Sequence, residues 1–154
     1  MGSIHLLEAV RTISPKIKVL LVSTAEVYGK VDQSLLPVSE DHPIQPTSVT
    51  AAGKAALEIA ARPYIDLHGL HIVTARPFNH TGPRQNTNFV CSNFAEQISM
   101  VEKIRRPVVR VGNLAPIRDF TDVRDIVRGY RLLVTKGKAG EAYNLASGAG
   151  YSIR

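Results

Sequence analysis

Apolar positions recur at helical spacing near the start of the chain. Ile4, Leu7 and Val10, flanked by Leu6 and Ala9, predict a helix over residues 4–11. Residues 18–23 are a short, β-branched apolar run, the pattern of a strand buried on both faces of a parallel sheet. The polar, proline-rich stretch 29–46 reads as a loop with a motif on either side. A second helix is predicted over 48–67, capped by Thr47 or Ser48 and closed by Gly69. Pro63 inside it is expected to kink the helix or to cost about 3 kcal/mol. Residues 70–75 make a second buried strand. Residues 88–104 make a third helix, with Val90, Phe94, Ile98 and Val101 on one face. A short strand is expected over 107–111. Val123, Ile126, Val127, Tyr130, Leu133 and Val134 then mark a strongly amphipathic helix that ends at Gly137, and a last strand covers 142–146. No internal repeat interrupts this order. Strands alternating with helices argue for an α/β fold with a parallel sheet.

Composition agrees with a globular domain. The chain has 154 residues, of which 44% are hydrophobic and 21% charged, too apolar for a disordered segment. Its longest run of strong hydrophobes, Val19 to Val22, is far too short for a bilayer, and no signal peptide opens the chain. Cys91 is the single cysteine, which excludes an internal disulfide and a cysteine-cluster metal site, and the five histidines lack metal-ligand spacing. A cytoplasmic, metal-free protein with no membrane partner is expected. The formal net charge of +6 is concentrated in residues 102–138, where ten basic residues face four acids. That stretch suits either a solvated face or a diphosphate. Nucleic acid is not expected as a partner, since no aromatics interleave with the charges.

Two constellations carry candidate chemistry. Ser23-Thr24-Ala25-Glu26-Val27-Tyr28-Gly29 closes the first strand, at the carboxyl end where open α/β sheets bind ligands. There Thr24 is placed to donate a hydrogen bond to a substrate oxygen and Glu26 to act as a base; a plain strand-to-loop turn is the alternative. The second is the helix start Pro46-Thr47-Ser48-Val49-Thr50-Ala51-Ala52-Gly53-Lys54, with Ala55-Ala56-Leu57-Glu58 after it. Glu40-Asp41 reads as loop solvation. Gly148-Ala149-Gly150 lacks the third glycine of a dinucleotide turn and reads as an ordinary turn.

Together these stretches resemble the extended short-chain dehydrogenase/reductase family, the NAD-dependent epimerases and dehydratases that modify nucleotide sugars. Arg76-Pro77-Phe78-Asn79-His80-Thr81-Gly82-Pro83, residues 111–125 with their Arg118-Asp119-Phe120-Thr121-Asp122-Val123-Arg124-Asp125 run, and Tyr143-Asn144-Leu145-Ala146-Ser147-Gly148 extend the resemblance over the whole chain. They are similar to the branch holding GDP-mannose 4,6-dehydratase and GDP-4-keto-6-deoxy-mannose reductase, and lean toward the reductase. The resemblance implies the C-terminal part of a Rossmann-type parallel sheet with a partial small substrate-binding subdomain. Residues 1–80 and 120–147 are then the core, and 81–119 and 148–154 the subdomain. It further implies a chain truncated at both ends: the first three strand-helix units, with their glycine-rich pyrophosphate turn, and the end of the subdomain are expected to be absent.

The resemblance also assigns roles. NAD or NADP is the implied cofactor and a GDP-sugar the implied ligand. Lys54 would hold the nicotinamide ribose, and His80 would approach the cofactor. Asn79, Val90, Asn93 and Arg118 match positions that contact the nucleotide-sugar. Dehydratases tend to carry a lysine at the Asn93 position, so a phosphate contact there is weakened. Arg118 is the best anion binder, since a guanidinium fork suits phosphate oxygens; a surface ion pair with Asp119 or Asp122 is the alternative. The family's catalytic tyrosine lies four residues before its lysine, and here that position is Thr50. An aliphatic hydroxyl lacks both the acidity and the reach of a phenol. Two functions therefore compete: a nucleotide-sugar reductase or dehydratase homologue without activity of its own, and a non-catalytic binding or scaffold domain. A homo-oligomer is expected in both. In the family the helices matching 4–11 and 48–67 pack against their copies, and the second offers Ala51, Ala55, Leu57, Ile59 and Ala60.

Overall fold

The structure is a computed structural model, and it describes residues 2–104 and 108–154. The chain divides into two compact units, Met1–Phe78 with Ile126–Leu145, and Asn79–Asp125 with Ala146–Arg154.

The first unit is built on a three-stranded parallel sheet. Its strands β1 (Val19–Val22), β2 (Ile72–Pro77) and β5 (Ala142–Leu145) lie in the order β1-β2-β5. The central strand β2 is buried nearly throughout, which is why its apolar residues Ile72, Val73 and Ala75 do not simply alternate with polar ones. Helices α1 (Gly2–Ile13) and α2 (Val49–Asp66) cover one face. Leu7 and Val10 from α1 and Ala61 from α2 pack there with Leu21, Leu70 and Ile72. The other face carries α4 (Val123–Lys136), where Leu133 and Tyr130 meet Val73, Ala75 and Leu145. Successive β2 residues thus feed opposite cores, and the α/β expectation holds. Gly137 ends α4 because a side chain could not fit: a Cβ would stand 2.5 Å from the Leu133 carbonyl oxygen and 2.9 Å from Val73.

Ser48, not Thr47, caps α2: its hydroxyl oxygen accepts from the Ala51 N–H at 3.1 Å. The helix continues through Pro63 for its full 18 residues, and the Pro63 carbonyl still accepts from Leu67 N–H. Ile59 and Pro63 both lie on the exposed side of the helix, so water can reach the carbonyl that loses its N–H. The stretch 29–46 is firmly placed. Gln45 N–H donates to the Val27 carbonyl at 2.8 Å, and Gly29, with φ of 69°, passes so close that a Cβ would meet Gln45 O at 2.0 Å. Between these points Val31, Val38 and Ile44 close over Val27 and Tyr28.

The second unit holds β3 (Asn79–Thr81), β4 (Ile117–Asp122) and β6 (Gly150–Ser152), with β3 parallel and β6 antiparallel to β4. Its helix α3 (Val90–Ile104) starts two residues later than expected, and Ile98 on its apolar stripe is 51% exposed. These three strands replace the strand expected over 107–111. Pro107 lies outside the described residues, as do Arg105 and Arg106 of the basic stretch, and 108–111 are not a strand. The reason is local: the Gln97 amide bonds Arg110 in both directions, accepting from its N–H at 2.7 Å and donating to its carbonyl at 2.9 Å. A side chain thereby satisfies backbone groups that a strand would have paired. Gly148 does make a turn, with φ of 80°, but Gly150 opens β6. Among the described residues no helix is long and apolar enough to cross a membrane.

Replacing Ser48 with alanine should cost about 1 kcal/mol of folding stability. Thr47→Ala should leave the urea midpoint unchanged, since Thr47 does not cap the helix.

Candidate functional site

In the first unit the chemistry gathers where β1 ends. Thr24 is extended, with φ of −159°, and its hydroxyl oxygen accepts from Glu26 N–H at 3.3 Å, opening a short 3-10 turn over Ala25–Tyr28. That bond uses a lone pair, and the hydroxyl keeps its own proton to donate. The Glu26 carboxylate is exposed, whereas Val27 and Tyr28 are fully buried and anchor the turn. Helix α2 delivers Lys54 to the same place: its ammonium donates to the Val22 carbonyl at 2.7 Å. Ser23, next in the chain, has a buried hydroxyl with no hydrogen-bond partner among the described residues. Thr50 lies one turn before Lys54, about 6 Å back along the axis, and is exposed. Thr24, Glu26, Thr50 and Lys54 therefore share one end of the β1–α2 pair.

Behind them lies a network that sequence reasoning missed. Arg76, on the buried strand β2, pairs with Glu58 of α2 at 2.7 Å, and their side chains are 7% and 8% exposed. Its Nη1 donates to the Tyr28 hydroxyl and to the Glu40 carbonyl, both at 2.9 Å. The Tyr28 hydroxyl donates on to Asn144 Oδ1 at 2.7 Å. Burial pushes the Tyr28 phenol above its usual range, against the opposing pull of Arg76. Burial alone would lower the Arg76 pKa; the bonds from Glu58 and Tyr28 outweigh it and raise it. Glu40 is not mere loop solvation, because its carboxylate accepts from the Asn144 N–H at 2.7 Å. A signal was present: an arginine directly following the run from Ile72 to Ala75 must find a partner when the strand is buried.

The second unit carries Asn79, His80, Val90, Asn93 and Arg118. Asn79 opens β3, and His80 follows it, its carbonyl held by the Gln85 amide at 3.2 Å. Val90 and Asn93 lie in the first turn of α3. The Asn93 amide donates to the Thr87 carbonyl at 3.1 Å and its oxygen accepts from Gln97 at 2.6 Å, so a structural role occupies it. Arg118 lies on β4, opposite Tyr151 of β6, with its guanidinium exposed and bonded to the Ile117 carbonyl at 2.8 Å. The carboxylates considered as its partners are engaged elsewhere. Asp119 accepts from Ser147 and Gly148 N–H at 2.9 and 2.8 Å, and Asp122 pairs with Arg124 at 2.6 Å. Lys54 and His80, the residues assigned to a cofactor, belong to different units. Among the described residues no cluster of His, Cys, Asp or Glu could hold a metal ion.

The whole sequence, residues 1–154, matches the family described as GDP-mannose 4,6 dehydratase. The chain belongs to this family. It is 34% identical over 155 residues to GDP-6-deoxy-D-mannose reductase of Pseudomonas aeruginosa, covering 100% of this chain and 51% of that protein. The structure of RMD from Pseudomonas aeruginosa complexed with NADPH superposes with a TM-score of 0.94 at 34% identity, over 99% of this chain and 53% of the other. A dTDP-glucose 4,6-dehydratase from Bacillus anthracis, in complex with NAD, gives 0.86 at 26% identity over 99% of this chain and 47% of the other. The α/β unit with its parallel sheet thus matches part of the Rossmann-type fold of these proteins, and the chain spans about half the length of the relatives it matches.

Within the dehydratase-family chain the Arg76–Glu58 pair makes a clear demand on stability. Truncating either partner, as in Glu58→Ala, strands a buried charge and should cost about 3–5 kcal/mol in urea unfolding. Lys54→Met at the exposed end of the same helix should cost much less.

Proposed function

We propose that this chain is the nucleotide-sugar-handling portion of a family reductase acting on a GDP-4-keto-6-deoxy sugar, and that alone it does not turn over. The observation that carries the second half is Thr50, an aliphatic hydroxyl one turn before Lys54 where the family acid is a phenol. Loss of a positioned acid typically costs 10²–10⁴-fold.

What supports the first half is the donor set of each unit. Lys54 and the unpartnered Ser23 hydroxyl fit the ribose and carboxamide end of a nicotinamide nucleotide. No glycine-rich turn within these 154 residues fits its pyrophosphate. Bound NAD(P)H would supply hydride chemistry at the keto carbon. Thr24 would hold the keto oxygen through its remaining hydroxyl proton, and Lys54 would hold the ribose. The second unit serves as a partial substrate-binding subdomain, in which Asn79, Val90, Asn93 and Arg118 contact the nucleotide-sugar. Arg118 is the strongest of these, because its exposed guanidinium suits phosphate oxygens and both neighbouring carboxylates are engaged. Asn93 contributes least, its amide being spent on the Thr87 carbonyl and on Gln97. Glu26, exposed at the position where dehydratases place a base, makes 4,6-dehydration the alternative ancestral chemistry.

The unmodified chain should show no NAD(P)H-dependent reduction of a GDP-4-keto-6-deoxy sugar by absorbance, and Thr50→Tyr should not create it. GDP should bind, and Arg118→Ala should weaken that binding. Measurable turnover by the unmodified chain overturns the assignment; absence of GDP binding leaves only a scaffold role.

The reading includes a two-fold homodimer, through a face of α2 that keeps Ile59 but otherwise differs from the residues the sequence suggested. Ala51 and Ala55 are buried in the chain's own core, and Leu57 packs against it. The free stripe runs along Val49, Ala52, Ala56, Ile59, Pro63 and Leu67, with Val49 92% and Ile59 68% exposed. Gly53 adjoins it, where a Cβ would meet nothing within 4 Å. Steps of three and four residues keep these positions on one face, and small side chains permit close helix approach. Sedimentation at micromolar concentration should show a species of about twice 16.8 kDa, and Ile59→Glu should halve it. A monomer in the unmodified chain refutes the dimer.

A further inference from the structure

We infer that Arg76 and Glu58 are positioning residues for Lys54: their forked pair sets the rotation of α2 about its axis, and so aims the Lys54 ammonium at the end of β1. The inference deepens the reading above, in which Lys54 meets a cofactor ribose.

Glu58 follows Lys54 by one turn, so both side chains leave α2 on the same side. The contact between them is rigid. Arg76 Nη2 reaches Glu58 Oε2 at 2.7 Å, and its Nε reaches the two carboxylate oxygens at 3.2 and 3.3 Å. A planar fork facing a planar carboxylate resists twisting, as a single point contact does not. The far side of the guanidinium is equally constrained, by the Tyr28 hydroxyl and the Glu40 carbonyl. Tyr28 ends the 3-10 turn that Thr24 opens, so one cation ties α2 to the segment carrying Thr24.

Apolar packing constrains this end of α2 less than its middle, where Leu57 and Ala61 meet the core. The buried residues at this end are Ala51 and Ala55, whose methyl groups fix how near the helix lies but hardly how it is turned. A buried ion pair is also weak evidence for stability, because apolar residues of the same volume generally serve as well. Rotational specificity is what remains for the pair to provide.

The test compares Arg76→Met/Glu58→Leu, which removes both charges together and keeps the volume, with Tyr28→Phe and with Leu133→Ala. The last lowers stability through the opposite face of the sheet. The readout is the rate of reductive methylation of Lys54 in the ligand-free chain, resolved by mass spectrometry against exposed Lys30. In the unmodified chain the bond to Val22 should protect Lys54. The double variant should react about tenfold faster at Lys54 alone, the factor that one hydrogen bond to a charged group is worth. Tyr28→Phe should give a smaller increase, and Leu133→Ala none. Unchanged protection in the folded double variant overturns the inference. So does equal acceleration in Leu133→Ala, which would make the effect one of stability. Because no ligand is present, failure of nucleotide binding would remove the functional reading and leave this result standing.

Discussion

A charged guanidinium on the central strand of a buried sheet is the constraint around which the first unit is organised. Left unpaired, Arg76 would be intolerable in that position, since an isolated buried charge costs far more than a domain's margin of stability. Its donors are met by a helix, by the 3-10 turn after β1 and by the backbone of the long loop, and Asn144 of β5 is joined through Tyr28. One cation thus brings together the segments around the carboxyl ends of the strands. The loop 29–46 is ordered for the same reason, because Glu40 supplies both a carbonyl to Arg76 and a carboxylate to Asn144.

The two units solve the problem of cohesion differently. The first relies on apolar layers on both faces of its sheet. Among the described residues the second has no buried hydrophobic residue, and side chains that bond backbone groups fasten its segments. Asp119 gathers the N–H groups of Ser147 and Gly148, Gln97 holds Arg110, and Ser92 and Asn93 fasten the residues before α3. Such bonds fix loop geometry but each contributes little net stability. Its polar strands β4 and β6 leave Arg118 and Tyr151 exposed side by side, a surface suited to a polar ligand.

Membership of the GDP-mannose 4,6 dehydratase family gives these features a common setting. Lys54 bonds the end of β1, and the Thr50 hydroxyl one turn before it is an aliphatic alcohol, far less acidic than a phenol. The framework that aims Lys54 is intact, with Glu58, Arg76 and Tyr28 all in bonded positions.

What the sequence determined by itself is whatever depends on neighbours along the chain. The helices of the first unit follow from apolar periodicity, the α2 start from its Ser48 cap, and β1 and β2 from short apolar runs. The motif residues at the end of β1 were legible because strand and turn are adjacent in sequence. The tertiary structure decided everything that depends on partners far apart. β4 exists because Arg118 pairs with Tyr151 and Phe120 with Asn79, residues whose own segments carry no strand periodicity. Residues 108–111 carry such a pattern and form no strand, because Gln97 takes the backbone bonds of Arg110. Which face of α2 is free, and that Glu58 answers Arg76, likewise required the packed sheet. Periodicity records which side of an element is apolar, whereas pairing of polar groups is settled only when distant segments meet.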